Sequence, residues 1–225
     1  VGIKGTLGES NIFNYSVAYF TTTNNNIIRN IALGNNPAAY QVWYPNLDAA
    51  TIAALAALEV TERIDEFQIQ SGEEEAKGLE LEFTATPIEG WDIRATYTNL
   101  DTQLLSDDSA PEAEGRTLPN SPEHNFNLFT RYGFHGPLQG LFIGGSADFL
   151  SERFSAPPQN GTAGLRARPR TLVNLFGGYR FDVGNLRYRL QLNVQNVTDE
   201  FVSEGNNLGA VVAPTSYRFS ASVDF

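Results

Sequence analysis

The sequence contains no cysteine, and this absence excludes disulfide scaffolds, zinc fingers, iron–sulfur clusters and thiol catalysis. Histidine is scarce too, with His124 and His135 as the two copies. They lie at opposite ends of one predicted strand, roughly 35 Å apart at the strand rise, so they cannot share a metal ion or a proton. No Gly-rich phosphate loop, Ser-x-x-Lys pair or nucleophile elbow is present. We therefore predict no enzymatic activity, no cofactor and no metal site.

Charged residues are also few. They make up 18% of the chain, against about 25% in ordinary soluble domains. Aromatic residues reach 12%, and this balance is the opposite of the one that gives disorder. The 15 Lys and Arg residues are outnumbered by 26 Asp and Glu, for a net charge of −11. A nucleic-acid partner is not expected, because phosphate binding needs a basic surface.

Long hydrophobic runs are missing as well. The longest apolar stretch of helical character, residues 49–60, has about 12 residues, whereas a membrane-spanning helix needs about 20. Residues 1–5 lack the basic start and the apolar run of a signal peptide.

What the sequence does contain is alternation of apolar and polar residues. In residues 216–225 the side chains of Tyr217, Phe219, Val223 and Phe225 lie on one face, and polar ones lie on the other. A period of two marks a strand with one apolar and one polar face. Leu172 and Phe176 are exceptions on a polar face. We predict nine strands, at about residues 1–7, 11–29, 62–86, 90–105, 122–134, 138–155, 170–182, 186–202 and 215–225.

Short and long connections alternate between these strands. Tight turns are predicted at residues 8–10, 87–90, 135–137 and 183–185, and long polar connections at about 30–61, 106–120, 156–169 and 203–214. This arrangement predicts an all-β, antiparallel up-and-down meander with its tight turns at one end. Outer-membrane β-barrels have the same layout.

Two environments could explain the apolar face: lipid around a transmembrane barrel, or a second sheet in a soluble β-sandwich. Aromatic residues cluster near strand ends, as in the interfacial girdles of barrels. Runs such as 187–197 match the length that crosses a bilayer. The polar face carries more charged side chains than the solvent-exposed face of a soluble sheet would need: Arg94, Arg131, Arg180, Arg187, Arg189 and Arg218. These features favour lipid.

Several motifs resemble those of TonB-dependent outer-membrane receptors. Gly78-Leu79-Glu80-Leu81-Glu82 followed by Gly90-Trp91 resembles their GxExE…P-x-x-G-W strand–turn–strand unit. Residues 118–124 (LPNSPEH) resemble the P-x-H approach to the next strand. Residues 189–199 (RLQLNVQNVTD) resemble the penultimate strand, and 217–225, with the final Phe225, the closing strand.

This resemblance implies a 22-stranded barrel for active uptake of a bulky nutrient across the outer membrane of a Gram-negative bacterium. A ferric siderophore is the expected ligand, with cobalamin, haem and oligosaccharides left open. The implied partners are outer-membrane lipid, the barrel-assembly machinery, a small-molecule or iron-chelate ligand and TonB, which is contacted through an N-terminal plug. Two other interpretations stay open: a self-contained small barrel acting as a pore or structural protein, and a soluble β-sandwich binding module.

Residues 1–225 are expected to be the C-terminal portion of such a receptor, without its plug domain and signal peptide. An odd strand count supports this expectation, because bacterial barrels close with even, antiparallel counts.

Two sets of site residues are predicted. Tyr217, Phe219 and Phe225 form the insertion signal that the resemblance implies. In the first long connection, Tyr40, Trp43 and Tyr44 are candidate ligand contacts, with loop packing as the alternative. A short helix is predicted over 47–58, with Asp48 near its start.

The remaining charges have simpler interpretations. We expect the inward arginines to pair with lumen carboxylates such as Glu80, Glu82, Asp92, Asp148 and Asp224, or with the plug, since unpaired charges in a narrow lumen are costly. The acidic run formed by Asp65, Glu66 and Glu73 to Glu75 suits calcium by ligand type. Because no EF-hand spacing is present, we favour a solvated strand edge that projects beyond the membrane.

Overall fold

The computed structural model describes residues 1–8, 12–32, 37, 40–41, 44–58, 66–70, 72–107, 113–156, 164–202 and 211–225. Helix α1 spans Ala49–Ala56 and a 3-10 turn spans Gly136–Leu138; residues 37, 40 and 41 are helical as well. The strands are β1 (Gly2–Leu7), β2 (Phe13–Asn25), β3 (Ile28–Ala32), β4 (Glu66–Gln70), β5 (Glu73–Ala85), β6 (Trp91–Ser106), β7 (His124–Gly133), β8 (Leu141–Leu150), β9 (Arg153–Ala156), β10 (Leu165–Ala167), β11 (Arg170–Val183), β12 (Leu186–Gln195) and β13 (Ser216–Asp224).

The main sheet has nine strands in the order β1-β2-β5-β6-β7-β8-β11-β12-β13. Each strand is hydrogen-bonded to the next main-sheet strand along the chain, and the ladders from β6 to β13 are antiparallel. The predicted antiparallel meander of nine strands is therefore confirmed. β1 and β13 form the two edges of the sheet.

Three of the predicted strands are interrupted where the backbone turns left-handed. The expected strand 186–202 ends as β12 at Gln195, and the next residue, Asn196, has φ of 49°. The expected strand 11–29 breaks at Asn26, whose φ is 58°, and 62–86 breaks near Gly72, whose φ is 99°. The Asn26 amide donates a hydrogen bond to the Gly72 carbonyl at 3.1 Å, so the two breaks face each other. Beyond them β3 and β4 pair as a separate two-stranded sheet, as do β9 and β10.

The chain divides into two compact units. The first comprises residues 1–20, 77–101 and 119–225, and the second comprises residues 21–76 and 102–118. In the second unit α1 begins after Asp48, as predicted, and buries Ile52 and Ala56. None of the helices in the described residues has the length and hydropathy to cross a membrane.

One face of the first unit is apolar along continuous cross-strand rows. The side chains of one row come from β6, β7, β8, β11, β12 and β13 in turn: Trp91, Tyr132, Ile143, Gly177, Leu192 and Phe219. Leu192 is 45% exposed and Phe219 is 67% exposed. Within the described residues no facing sheet covers this row, so the β-sandwich interpretation is wrong.

Aromatic side chains gather on this face beside the tight turns. The Tyr132 and Phe134 rings meet edge to face at 4.9 Å between centroids. Phe181 stacks on Tyr179 at 5.8 Å and on Tyr188 at 5.1 Å. Tyrosine and phenylalanine at strand ends suit a membrane–water interface, because each ring combines an apolar body with an edge that tolerates polar groups.

Candidate functional site

The opposite face of the main sheet carries the charged side chains. Arg131 on β7 lies 3.9 Å from Asp92 on β6, and Arg170 on β11 lies 3.8 Å from Asp148 on β8. The expected pairing with Asp92 and Asp148 is therefore present, although one partner is Arg170, outside the predicted set.

Other predicted pairs are not formed. Within the described part of the chain, Glu80, Glu82 and Asp224 have no arginine at ion-pair distance, so the expected pairs with these three carboxylates are not formed. Pairing of the arginines with a plug stays a prediction. Arg187 lies opposite Asp224 in the ladder but bonds to Asp182 across the tight turn, at 3.3 Å. The two-residue turn brings the side chains of Asp182 and Arg187 close together.

Three phenylalanines interrupt this polar face. Phe176 stacks on Phe129 at 5.8 Å and lies 6.4 Å from Phe142, centroid to centroid. Gly144 and Gly178 leave the room these rings occupy, because a Cβ at either glycine would collide with Phe176 or Phe142. Phe142 is 2% exposed. The alternation pattern identified Phe176 as an apolar exception on the polar face, but Phe142 was not recognised from the sequence. The pattern that could have revealed Phe142 is a set of apolar residues in register on an otherwise polar face.

Arginines close over the Phe142 ring. The guanidinium carbons of Arg131, Arg180 and Arg189 lie 5.1, 5.2 and 5.5 Å from its centroid. These distances are within the range of cation–π attraction. We refer to these three residues as the arginine cluster; it lies beside the tight turns that follow β7 and β11.

The resemblance motif in residues 193–199 forms a clamp at the other end of the sheet. Asn196 follows β12 with φ of 49° and is buried. Its Nδ2 donates to the carbonyls of Glu200 and Ala213, at 3.0 and 2.9 Å, and its Oδ1 accepts from the Glu200 amide at 2.8 Å. The Thr215 hydroxyl donates to the Asn196 carbonyl at 2.6 Å. The loop between β12 and β13 is therefore tied at both ends.

The His124 motif makes a second clamp. The His124 Nδ1 lies 2.9 Å from the Tyr97 hydroxyl and 3.3 Å from the Asn99 amide nitrogen. The His124 amide donates to the Ser151 hydroxyl at 3.0 Å. His124 therefore joins β6, β7 and the end of β8. It has a structural role at the start of a strand.

The Gly90-Trp91 motif fixes a tight turn. Gly90 has φ of 82°, and a Cβ there would collide with the Gly133 carbonyl oxygen. The Trp91 indole N–H donates to the Thr130 hydroxyl at 2.8 Å. His135 Nε2 lies 3.1 Å from the Glu89 carbonyl oxygen, and so the second histidine serves the same turn.

The predicted insertion residues lie on or next to the edge strand β13. Tyr217 and Phe219 point to the apolar face and are 73% and 67% exposed. Phe225 follows the end of β13 and is fully exposed. Their role as an insertion signal stays a prediction.

The predicted ligand contacts belong to the second unit. Tyr40 is 2% exposed, and its hydroxyl has no hydrogen-bond partner among the described residues. Tyr44 is partly exposed, and its amide donates to the Tyr40 carbonyl at 2.8 Å. Trp43 lies outside the described residues. Ligand contact at this loop stays a prediction.

The acidic run does not assemble a metal site within the described residues, where no three His, Asp or Glu side chains are grouped to hold an ion. Asp65 lies outside those residues. Glu73, Glu74 and Glu75 begin β5 and are half-buried.

Comparison with known proteins gives a family match. The family model described as TonB dependent receptor-like, beta-barrel matches residues 1–197. The ferric-pyoverdine BN7/BN8 receptor of Pseudomonas putida is 31% identical over 150 residues, covering 64% of this chain and 17% of the receptor. The ferrichrome outer membrane transporter/phage receptor of Escherichia coli K12 is 28% identical over 166 residues, covering 68% of this chain and 21% of that protein.

A solved structure gives the same fold. The crystal structure of BauA, the ferric preacinetobactin receptor from Acinetobacter baumannii, aligns with 100% of this chain and 28% of its own length, with a TM-score of 0.69 and 21% identity. The chain therefore spans about a fifth of the curated relatives above, between 17% and 21% of their length.

Proposed function

The chain belongs to the TonB-dependent receptor β-barrel family, and from this premise we propose that it is part of the wall of a receptor that takes up a ferric siderophore. Members of this family are transport receptors of the outer membrane. The observation that carries the proposal is the uncovered apolar face of β6 to β13, backed by a polar face. Hydrocarbon tails suit the first face, and a lumen suits the second.

Lipid contact can be tested with spin labels, since this chain supplies no cysteine of its own. A label at Leu192→Cys on the apolar face should be more accessible to oxygen than to a water-soluble nickel chelate. Asn193→Cys, its neighbour on the polar face, is the matched control and should show the reverse preference. Equal accessibilities at the two positions would contradict a membrane wall.

The ligand class is supported by the relatives, whose names specify ferric-pyoverdine and ferrichrome. We propose a ferric siderophore for this receptor as well. The test is uptake of ⁵⁵Fe carried by hydroxamate, catecholate and mixed-type siderophores into cells that express the full-length receptor, with and without TonB. Uptake of one class that disappears without TonB supports the proposal. TonB-independent conductance would instead favour a pore.

Within the longer protein, we propose that residues 1–225 form the C-terminal part of the barrel and that a plug elsewhere in the polypeptide contacts TonB. The assembly machinery would recognise β13 through Tyr217, Phe219 and Phe225. Deletion of Phe225 should reduce the heat-modifiable, folded form in outer membranes, whereas removal of an exposed side chain at Leu138→Ala should not. An intact natural protein near the mass of this chain would contradict the C-terminal placement.

For the loop, we propose that ligand contact falls on Tyr44, because Tyr40 is buried. Tyr44→Ala should weaken siderophore binding by about tenfold, the loss expected for one aromatic contact at a binding surface. Tyr19→Ala, an exposed tyrosine outside this loop, is the control. Equal binding by the two variants would leave the loop with a packing role.

A further inference from the structure

We infer that the arginine cluster around Phe142 is a carboxylate-binding site on the lumen side of the wall. This inference rests on the proposed function, because only a barrel wall gives the polar face a lumen. The first observation is the repulsion between two positive charges in the cluster. Arg180 and Arg189 lie directly opposite each other on β11 and β12, and like charges in directly opposed positions destabilise a ladder.

The protein provides little compensation for this repulsion. Among the described residues no carboxylate lies within 4.0 Å of Arg180 or Arg189, and Arg131 reaches Asp92 only at 3.9 Å. The nearby Asp182 is already bonded to Arg187. The Nε of Arg189 is buried and has no hydrogen-bond partner among the described residues. A buried donor without an acceptor is costly and rare in folded proteins.

The Phe142 ring explains why the guanidinium groups converge but not why their donors stay unused. Cation–π contact occupies the face of a guanidinium group and leaves its N–H edge available. A carboxylate matches that edge, since its two oxygens accept the forked donors of arginine. One carboxylate would also offset the repulsion between Arg180 and Arg189.

Lipid cannot supply this carboxylate, because the cluster is on the face opposite the apolar rows. It must come from an Asp or Glu side chain of a segment inside the lumen or from a small free carboxylate. About four-fifths of the length of the curated relatives lies outside the region this chain covers, so polypeptide for such a segment is available.

A photo-crosslinker in place of Gln191 tests the first source in the purified full-length receptor. Gln191 lies in the cross-strand row of Phe142 and Gly178, on the same face. We expect mass spectrometry to find it joined to a peptide rich in Asp or Glu. In Arg180→Gln/Arg189→Gln the yield should fall about tenfold, as for loss of a charge-assisted pair. Arg218→Gln, on the same face outside the cluster, should leave it unchanged.

Calorimetric titration with citrate, at constant ionic strength, tests the second source. Citrate binding that is lost in the double variant, without an acidic cross-link, assigns the site to a free carboxylate. A cross-link to a peptide without Asp or Glu overturns the inference. So does the absence of an acidic cross-link together with citrate binding that is equal in all variants. If the double variant does not fold, Arg180→Lys/Arg189→Lys keeps the charges but loses the fork, and should still weaken binding. The spin label at Leu192→Cys measures lipid contact of the wall independently of the arginine cluster. A negative result for the carboxylate site is therefore distinguishable from failure of the proposed function.

Discussion

Replacement of Asn196 by alanine should loosen the loop that joins β12 to β13. The side chain is buried and makes three hydrogen bonds, to the carbonyls of Glu200 and Ala213 and from the Glu200 amide. Alanine removes all three and leaves those backbone groups without their partner. The substitution also puts alanine, which disfavours positive φ, at a position where φ is 49°.

The magnitude follows from these losses. Each intramolecular hydrogen bond contributes about 1 kcal/mol net, and more is lost when a buried group stays unsatisfied. A left-handed conformation costs a non-glycine residue roughly 1–2 kcal/mol. The loss in free energy of unfolding for Asn196→Ala should therefore be about 3–5 kcal/mol.

The measurement is reversible unfolding of the full-length receptor in urea, in lipid or detergent, followed by tryptophan fluorescence and heat-modifiable migration. Asn196→Gly separates the two causes, since glycine accepts the positive φ but makes no side-chain bonds; it should recover about 1 kcal/mol of the loss. Asn193→Ala on the same strand is the control. If Asn196→Ala costs less than about 1 kcal/mol, the clamp does not stabilise the loop.

Two further predictions concern other parts of the chain. At Gly78 an added Cβ would fall well inside contact distance of the Asn99 carbonyl oxygen. Gly78→Ala should therefore lower the free energy of unfolding by about 1–3 kcal/mol in the same urea assay. Gly177→Ala is the control: its Cβ would make only ordinary contacts, and the free energy of unfolding should change little. The hydroxyl and amide of Thr51 hold the pKa of Asp48 below its ordinary value. Because the folded pKa is the lower one, this N-cap stabilises α1 above the unfolded value of about 3.9 and is lost as the pH falls through the folded value. The protection factors of the first-turn amides, which correct for the intrinsic pH dependence of exchange, should fall over that pH range and should stay constant in Asp48→Asn.

The strands and their faces were predictable from the sequence because the period of two is a local property. In residues 216–225 the alternation of apolar and polar side chains is enough to assign each residue to a face. The observed register agrees, since it pairs Leu192 with Phe219 and Leu190 with Ala221, apolar with apolar. The tight turns were predictable for the same reason, since Gly90 and Gly184 mark left-handed positions.

The rest could not be read from the sequence because it depends on contacts between distant strands. The breaks at Asn26 and Gly72 support each other across a ladder, and neither is visible alone. The arginine cluster forms only because β7, β8, β11 and β12 meet in one particular register. Ion pairing depends in the same way on which carboxylate the ladder places nearby, so Arg187 bonds to Asp182 and not to Asp224.

The motifs that resemble the family lie where a membrane wall is physically weakest. A strand can satisfy its backbone groups by pairing with its neighbours, but at its end those groups lose their partners, and lipid offers none. At the long-loop end, the Asn196 side chain donates hydrogen bonds to two backbone carbonyls. The backbone amide of His124 finds its acceptor in the Ser151 hydroxyl. At the tight-turn end Gly90 lets two backbones approach closely and Trp91 bonds across the strands. These residues therefore satisfy the demands of the strand ends, and the motifs identify the architecture of the wall without specifying its ligand.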